Sequence, residues 1–385
     1  MNIVLINFDA VNQSFGGTAR VFANMANALV DRGHSVSALF YDLVEGAPSF
    51  EIDRRVNLRN CCSGWREKLI HNKAWAKIRT FYITDRKARR IKRVILELKS
   101  RRSAIESALK EIAPDVVVVF QQEIAYLLKE IIKTKLPVVV MVHNKPSYYF
   151  ERPEFEIYRG ALNNCNCVQV LMPEYVAEAK KYLEKVRVVY IPNVVEAVED
   201  YDGEKKNLII NIAKISSRKR QHLIVEAFSK ITKKYPDWRV ELCGYDQTDY
   251  AKKVKNTIAK LGLSSKIKLC GETKQVINKL HQSAIFVFPS EHEGFPLALT
   301  EAMSSGLAVI GCRDCVAVSS LIDDGRTGLI CDNTPDSLAE KIEFLINNTQ
   351  MRHELGKMAK MEMMKFYPDV VWKMWEDLLI SLKVQ

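Results

Sequence analysis

Short apolar runs alternate with amphipathic stretches along the first half of the chain. The runs are hydrophobic almost throughout, as is typical of parallel strands buried on both faces of a sheet. They predict strands at 2–8, 35–41, 115–120, 137–143, 167–172 and 187–191. Positions 18–31 repeat apolar residues at helical spacing and stop at Gly33, which predicts a helix between the first two strands. Strands that alternate with helices indicate a doubly wound α/β domain.

A polar and acidic stretch at 196–207 interrupts this pattern and predicts a linker. The alternation then resumes, with strands predicted at 208–213, 239–243, 267–270, 284–288, 307–311 and 328–331. Helices are predicted between and after them, at 218–234, 248–261, 274–283, 297–305, 336–347 and 351–383. The predicted organisation is a first domain at 1–195, the linker, a second domain at 208–362, and a C-terminal helix at 363–385 that packs back towards the first domain.

Length and composition fit this organisation. The chain has 385 residues, of which 48% are hydrophobic and 27% charged, as expected for a globular protein of two ordinary domains. The longest apolar runs fall far short of the roughly 20 residues that span a bilayer. The first residues predict a strand and not a signal peptide. We therefore expect a cytoplasmic protein.

The nine cysteines are scattered without a disulfide framework, which predicts reduced thiols. The one C-x-x-C pair, Cys312 and Cys315, has no second pair of ligands at a spacing suited to zinc, so we expect a strand-end loop there. Asp200 and Asp202 form a D-x-D sequence, a pair of carboxylates of the kind that can hold a metal. Because they lie in the predicted linker, we interpret that match as chance.

Positive charge is concentrated in the segment 54–102. It contains 17 Lys and Arg against three acidic residues, a net +14, whereas the whole chain carries +11. The remainder therefore sums to −3. Four aromatic residues are interleaved with these charges, namely Trp65, Trp75, Phe81 and Tyr82. The segment predicts either a solvated helical face with a linker, or a docking surface for anionic lipid or a phosphate-bearing acceptor, or a nucleic-acid surface.

The most specific chemistry lies at 288–306. A strand is predicted to end at the start of this stretch, and Pro296 suits the first position of a helix. A helix N-terminus just after Glu293 would offer free amides and a positive dipole, which suit a phosphate. Glu301 follows eight residues later, ~12 Å away along a helix, a separation comparable to that across a sugar, a diphosphate and a ribose. Both carboxylates can accept hydrogen bonds from hydroxyls.

With these residues the chain resembles the retaining glycosyltransferases of family four. Glu293 and Glu301 match the E-x7-E signature of that family, and Ala308 stands where its pattern usually has Pro. The segment 212–219 matches the G-R-L-x-x-x-K motif, with Lys214 in place of Arg and Lys219 retained. An ammonium group cannot form the bidentate fork of Arg, so we expect somewhat looser diphosphate binding.

The resemblance extends in both directions. The turn at 323–328 matches D-G-x-x-G, with Ser320 where a Glu is usual before it. Gly16 and Gly17 match the family's glycine pair after the first strand. His143, at the end of a predicted strand, matches its active-site histidine. A lone histidine in that position is more often structural, and the family register favours a catalytic role. Residues 46–110 match nothing in the family pattern.

The resemblance implies the α/β GT-B fold, in which two Rossmann-like, doubly wound domains face each other across a cleft. It implies that the first domain, 1–195, lies on the acceptor side and that the second, 208–362, binds the nucleotide sugar. It also implies sugar transfer with retention from a nucleotide diphosphate sugar, with UDP as the expected nucleotide. The implied catalytic residues are His143 and Glu293. The implied donor-binding residues are Gly16, Gly17, Lys214, Lys219, Glu293, Gly294, Phe295, Leu297 and Glu301. Lysines and backbone amides would stabilise the departing diphosphate, so we expect no metal and no cofactor beyond the nucleotide sugar.

The expected acceptor is a glycan or a lipid-linked molecule in bacterial surface polysaccharide or lipopolysaccharide synthesis. The basic segment 54–102 then predicts peripheral association with an anionic membrane, on the inner face of the plasma membrane. The alternative is a basic protein that binds nucleic acid or membrane and retains a degenerate GT-B site. Nucleic-acid binding would leave Glu293, Glu301 and His143 unexplained, so we expect no nucleic acid partner.

Overall fold

The computed structural model describes residues 1–12, 16–44, 46–62, 80 and 83–383. The chain forms two compact units. The first comprises Met1–Pro192 together with Trp372–Gln385, and the second comprises Asn193–Val371. Within the described residues, no helix combines the length and the apolar character that a membrane-spanning segment requires.

The first unit is built on a parallel sheet of seven strands in the order β3-β2-β1-β4-β5-β6-β7. The strands are β1 (Asn2–Asn7), β2 (Ser35–Phe40), β3 (Asn57–Asn60), β4 (Val116–Val119), β5 (Val138–Val142), β6 (Cys167–Val170) and β7 (Arg187–Tyr190). The central strands β4 and β5 are buried at every position. This accounts for their continuous apolar sequences, because both faces of a parallel sheet are covered.

Helices connect the strands of the first unit. They are α1 (Gly17–Asp31), α2 (Arg86–Ile112), α3 (Gln122–Tyr126), α4 (Pro146–Phe150), α5 (Phe155–Asn163) and α6 (Pro173–Lys180). A π-helical turn, Leu127–Ile132, follows α3 directly. The carboxyl ends of β1, β4 and β5 all lie on one edge of the sheet, which is where parallel α/β sheets carry their binding sites.

The second unit has a parallel sheet of six strands in the order β10-β9-β8-β11-β12-β13, the Rossmann order. The strands are β8 (Leu208–Ile212), β9 (Arg239–Cys243), β10 (Ile267–Gly271), β11 (Ile285–Phe288), β12 (Ala308–Cys312) and β13 (Leu329–Cys331). Its helices are α7 (Gln221–Ile231), α8 (Asp249–Lys260), α9 (Val276–Gln282), α10 (Leu297–Ser304), α11 (Val316–Ser319), α12 (Pro335–Asn347) and α13 (Thr349–Met363). Ile209, Phe228 and Ile310 are fully buried in its core.

The predicted C-terminal helix 351–383 is two helices. Helix α13 is followed by a 3₁₀ turn, and α14 (Pro368–Lys383) then begins at a proline. Tyr367 before it is extended, with ψ of 158°, because a proline disfavours helical backbone in the residue that precedes it. The end of α14 belongs to the first unit, where Trp375 is buried and Lys383 lies 3.4 Å from Asp115.

Two other sequence predictions need correction. The helix predicted at 218–234 begins only at Gln221, because Arg220, which follows the short 3₁₀ turn Ser217–Lys219, adopts a left-handed conformation with φ of 51°. Pro296 is the N-cap of α10 and not its first residue. Its carbonyl accepts hydrogen bonds from the amides of Leu299 and Thr300, at 2.9 and 3.0 Å.

Helix α2 contains residues 86–102 of the basic segment 54–102, and Lys87, Lys92 and Lys99 on it are exposed. One side of α2 is buried through Leu98, Arg101 and Ile105. The guanidinium of Arg101 lies 4.4 Å from the ring centre of Phe8 and 4.3 Å from that of Tyr41. The interleaved aromatics Trp65, Trp75, Phe81 and Tyr82 lie outside the described residues.

Candidate active site

Lys219 and Glu293 form the centre of the candidate site in the second unit. Lys219 ends the 3₁₀ turn Ser217–Lys219 before α7, and Glu293 lies in the loop between β11 and α10. The Lys219 ammonium pairs with the Glu293 carboxylate, and the two side chains are only 17% and 12% exposed. The same ammonium lies 5.2 Å from the ring centre of Phe288. The structure therefore brings together two residues that the sequence assigns to the donor.

Hydrogen bonds hold the two loops together around this pair. The amide of Glu291 donates to the carbonyl of Arg218 at 2.9 Å. The hydroxyl of Ser290, which is fully buried, donates to the Glu293 carboxylate at 2.5 Å. Because the carboxylate has both a hydroxyl and an ammonium as donors, its position is set before any ligand binds.

The loop continues into α10 with Gly294, Phe295 and Pro296, which are all buried. The ring of Phe295 packs edge-on against Phe366, with 5.3 Å between the ring centres. This packing anchors the point where α10 begins at Leu297. The first amides of a helix have no partner within the helix, and the dipole places positive potential there. Such an N-terminus beside a lysine can bind a phosphate.

Glu301 lies in the second turn of α10 and is half-buried. Its carbonyl accepts hydrogen bonds from the amide of Ser305 at 2.9 Å and from the hydroxyl of the same residue at 2.8 Å. Glu293 therefore precedes the helix and Glu301 is part of it, the arrangement that the E-x7-E spacing predicts. The carboxylate of Glu301 is assigned to the donor by the sequence pattern alone.

Lys214 is exposed, whereas Lys219 is half-buried. Its ammonium lies 5.4 Å from the ring centre of Tyr245, in the loop after β9. Gly244 in that loop has φ of 146°, and a Cβ there would lie 2.1 Å from the carbonyl oxygen of Ala213. Only glycine allows this close approach of the two loops, and the approach brings Tyr245 beside Lys214.

Gln221, fully buried at the start of α7, is a site residue that the sequence analysis missed. Its side-chain amide donates to the carbonyl of Lys214 at 3.2 Å and to the side chain of Asn211 at 3.3 Å. Its side-chain oxygen accepts from the amide of Ser216 at 3.3 Å. Gln221 thus positions the loop that carries Lys214. The only signal in the sequence is a polar residue ahead of an apolar helix.

Arg220 and Ser290 were also missed. The Arg220 guanidinium pairs with Asp314 at 2.6 Å and with Glu291 at 3.5 Å, and so neutralises two acidic groups near Glu293. Arg220 acts through neighbours that are distant in sequence, which is why no local pattern identifies it. Ser290 acts on Glu293, three residues away, through a loop conformation that the sequence does not reveal.

Three of the predicted residues belong to the first unit. Gly16 is the N-cap of α1 and Gly17 its first residue. His143 directly follows β5, and its ring stacks on Phe120 with 5.2 Å between the centres. Burial lowers the pKa of His143 to about 4, so the imidazole is neutral at physiological pH.

Potential metal ligands lie elsewhere. Within the described part of the chain, Glu241, Cys243 and Cys270 form one group whose ligand atoms are all within 4.8 Å of one another. The ammonium of Lys279 already donates to Glu241 at 2.6 Å. The D-x-D residue Asp200 pairs with Lys360 at 2.5 Å in the segment before β8. These groups are distinct from the Lys219–Glu293 pair.

Comparison with known proteins agrees with this arrangement. The model of Glycosyltransferase Family 4 matches residues 15–198, and that of Glycosyl transferases group 1 matches residues 199–362. The chain is a family-four glycosyltransferase. Its two parallel α/β units are those of the GT-B fold.

The glycosyltransferase is similar to characterised and uncharacterised relatives over nearly its whole length. An uncharacterized glycosyltransferase of Haemophilus influenzae is 22% identical over 95% of this chain and 97% of its own. The GalNAc-alpha-(1->4)-GalNAc-alpha-(1->3)-diNAcBac-PP-undecaprenol alpha-1,4-N-acetyl-D-galactosaminyltransferase of Campylobacter jejuni is 21% identical over 98% of this chain and 99% of its own. The structure of Anabaena HepE in complex with UDP and glucose superimposes with a TM-score of 0.76, at 16% identity, over 98% of this chain and 99% of HepE.

Proposed function

We propose that this glycosyltransferase transfers a sugar, with retention of configuration, from a nucleotide diphosphate sugar to a glycan or lipid-linked acceptor. The observation that carries the proposal is the Lys219–Glu293 ion pair, whose carboxylate lies in the loop that leads into α10. The Lys219 ammonium and the first amides of α10 can bind a diphosphate, and the Glu293 carboxylate can accept hydrogen bonds from sugar hydroxyls.

Lys219 and the amides around Phe295 and Leu297 bind the diphosphate, and exposed Lys214 contributes a second ammonium. Charge-assisted hydrogen bonds of this kind are worth ~1.5–3 kcal/mol each. They gain strength as the bond to the sugar breaks, because negative charge then grows on the leaving phosphate. Since fixed cations and a helix dipole supply this stabilisation, the reaction proceeds without a metal and without a further cofactor.

Glu293 accepts hydrogen bonds from hydroxyls of the donor sugar, and Glu301 from those of the ribose. When the diphosphate binds Lys219, the Glu293 carboxylate loses part of its ion pair and becomes available to the sugar. UDP is the nucleotide we propose, since HepE, which has the same fold, has been crystallised with UDP and glucose. Gly16 and Gly17 contribute backbone amides to the donor.

In the transfer step the bond from the anomeric carbon to the phosphate oxygen breaks. The acceptor hydroxyl forms a bond to the same face of that carbon, and its proton passes to the leaving phosphate oxygen. His143 faces the sugar as a neutral imidazole. A neutral imidazole can stabilise an oxocarbenium-like centre, whereas an imidazolium would repel it, and the lowered pKa of His143 favours the neutral form.

The pathway we propose is the synthesis of bacterial surface polysaccharide or lipopolysaccharide. The Campylobacter jejuni relative acts on a PP-undecaprenol-linked saccharide by its name, which favours a lipid-linked acceptor here. Exposed lysines on α2, among them Lys87, Lys92 and Lys99, would hold the protein at an anionic membrane surface. We propose no nucleic-acid partner.

Calorimetric titration with UDP, GDP and ADP in the presence of a chelator tests the donor site. We expect one of the three nucleotides to bind with micromolar affinity and Glu301→Ala to weaken that binding. If none of them binds, the site is degenerate and the alternative of a basic nucleic-acid- or membrane-binding protein takes its place.

A further inference from the structure

Three potential metal ligands meet in the second unit, where β9 and β10 end. Glu241 and Cys243 lie on β9, and Cys270 lies on β10. Their ligand atoms, one carboxylate oxygen and two sulfurs, are all within 4.8 Å of one another. Cys243 is buried, whereas Glu241 and Cys270 are half-buried, so an ion from solution can reach the group.

Strand β9 places two of these ligands on one face of the sheet. Side chains alternate between the two faces along a strand. Val240 and Leu242 belong to the hydrophobic core of the second unit. Glu241 and Cys243 therefore project together from the opposite face, two residues apart on a rigid element.

An irregularity in β10 supplies the third ligand. The residues on either side of Cys270 pair with the successive residues Leu242 and Cys243 of β9. Cys270 is therefore an extra residue, as in a β-bulge, a feature that redirects a side chain. Just beyond it, the amide of Gly244 donates to the carbonyl of Gly271 at 2.7 Å. This bond holds the ends of the two strands, and with them the ligands, together.

The two sulfurs and one oxygen favour a zinc ion over harder cations. Thiolates bind Zn²⁺ strongly, whereas Mg²⁺ and Ca²⁺ take oxygen ligands. Zn–S distances of about 2.3 Å and Zn–O distances of about 2.0–2.2 Å place such ligand atoms about 3.6–3.8 Å apart around a tetrahedral ion. The observed limit of 4.8 Å therefore has to close by about 1.2 Å at most, which is within the reach of side-chain rotation.

Lys279 on α9 is compatible with an ion at this position. Its ammonium donates to one carboxylate oxygen of Glu241 at 2.6 Å, and the second oxygen of that carboxylate can bind a metal. Two thiolates, one carboxylate, one divalent ion and one ammonium have no net charge together. Because an uncompensated charge is costly in a half-buried position, Lys279 stabilises the site with its ion bound.

A second pair of cysteines differs in two respects. The sulfurs of Cys312 and Cys331, on the neighbouring strands β12 and β13, are 3.6 Å apart. Both residues are only 1% exposed. Within the part of the chain that the structure describes, no third ligand forms a comparable group with them. The carboxylate and the access to solvent therefore distinguish the group on β9 and β10.

We propose that Glu241, Cys243 and Cys270 bind one Zn²⁺ ion, with water as the fourth ligand. Both thiols release their protons to water when the ion binds. The ion joins the ends of β9 and β10 and stabilises the second unit there. It is separate from the Lys219–Glu293 pair and takes no part in sugar transfer.

The test uses the full-length protein, reduced and freed of metal, in a titration with Zn²⁺ against a chromophoric chelator. Co²⁺ is titrated in parallel, because its charge-transfer absorption reports thiolate ligands. One equivalent of Zn²⁺ is expected to bind. Cys243→Ser and Cys270→Ser should each weaken binding at least about 100-fold, and Glu241→Gln about tenfold while the thiolate absorption remains. Zn²⁺ should raise the Tm of the wild type and leave that of Cys270→Ser unchanged, because only an ion bound to the native state stabilises it.

Cys62→Ser, which changes a half-buried cysteine of the first unit, is the matched control and should bind Zn²⁺ as the wild type does. The proposal is overturned if no equivalent of Zn²⁺ binds. It is also overturned if Cys243→Ser and Cys270→Ser bind Zn²⁺ as tightly as the wild type, which would place the ion on other groups. A Cys243–Cys270 disulfide formed with oxidised glutathione, in a protein that takes up no Zn²⁺ after reduction, would make the pair a redox site and overturn the proposal as well.

Discussion

The ammonium of Lys219 pairs with the carboxylate of Glu293, although 74 residues separate them in the sequence. The pair joins the turn before α7 to the loop before α10, so a diphosphate and a sugar hydroxyl can be bound at adjacent points. Each partner keeps the other from being an uncompensated charge in a half-buried position. A ligand with a negative diphosphate next to hydroxyl groups can pair with the Lys219 ammonium through its phosphates and with the Glu293 carboxylate through its hydroxyls.

Lys219→Gln should weaken UDP binding about 10- to 100-fold, because it removes a charge-assisted hydrogen bond to the diphosphate. Calorimetry with the purified variants measures this, and Lys260→Gln, at an exposed position on α8, is the matched control. Glu293→Gln should weaken the binding of UDP much less than Lys219→Gln does, and should weaken the binding of a UDP-sugar more than that of UDP. Equal losses for UDP in the two variants would contradict the assignment of Lys219 to phosphate and Glu293 to sugar.

Gly244→Ala should destabilise the second unit by about 1–3 kcal/mol, the cost of a residue strained in this region of backbone conformation. The added Cβ would lie 2.1 Å from the Ala213 carbonyl oxygen, so the loop that carries Lys214 has to move. Urea unfolding should show a lower midpoint, and UDP binding should weaken. Gly160→Ala, where a Cβ meets nothing within 4 Å, should be neutral or slightly stabilising. A fully stable Gly244→Ala variant would show that the two loops can separate freely.

The lowered pKa of His143 predicts a specific pH dependence of the protein's stability. Its pKa in the folded protein, about 4, lies below the ordinary value of 6.5, so the unfolded chain binds the proton more readily. The stability that neutral His143 contributes is complete above pH 6.5 and is lost as the pH falls towards 4. Thermal unfolding at pH 7, 6 and 5 should therefore show the Tm of the wild type falling more steeply than that of His143→Gln. Parallel Tm profiles would mean that His143 titrates normally in the folded protein.

Membrane association should depend on the exposed lysines of α2. Sedimentation with vesicles that contain anionic lipid should deplete the protein from solution at low salt, and neutral vesicles should not, because the attraction is electrostatic. The variant Lys87→Gln/Lys92→Gln/Lys99→Gln should bind less. A control with three exposed lysines of the second unit changed in the same way, at Lys233, Lys253 and Lys260, should bind as the wild type does. Equal binding of the two triple variants would place the membrane surface elsewhere.

Most strands of the two sheets could be predicted from the sequence, because they are buried on both faces and are therefore apolar almost throughout. The predicted strand 239–243 has the bounds of β9, and the other runs differ from the observed strands by one or two residues at one or both ends. Strand β3 was not predicted, because it is a half-buried edge strand of four residues without an apolar run. Helix α2 lacked a clear apolar stripe, since Arg101 occupies one of its buried positions and is stabilised by the rings of Phe8 and Tyr41.

One part of the candidate site can likewise be predicted from local sequence, and another part cannot. The order of Glu293, the start of α10 and Glu301 follows from local sequence, because a strand, a loop and a helix succeed one another there. Gln221 and Ser290 could not be predicted, because their hydrogen bonds, although to residues seven and three positions away, depend on how the loops are folded. The position of Lys214 beside Tyr245 depends on Gly244, whose requirement appears only when the two loops are seen together.

The most direct measurement of the central claim is UDP release from a panel of UDP-sugars in the presence of a chelator, with water as the acceptor. NMR of the product's anomeric proton is recorded before mutarotation mixes the anomers. We expect turnover of at least one UDP-sugar without metal, a product with the donor's anomeric configuration, and loss of turnover in Glu293→Gln but not in Lys260→Gln. Turnover that survives in Glu293→Gln, or a product of inverted configuration, would contradict the account.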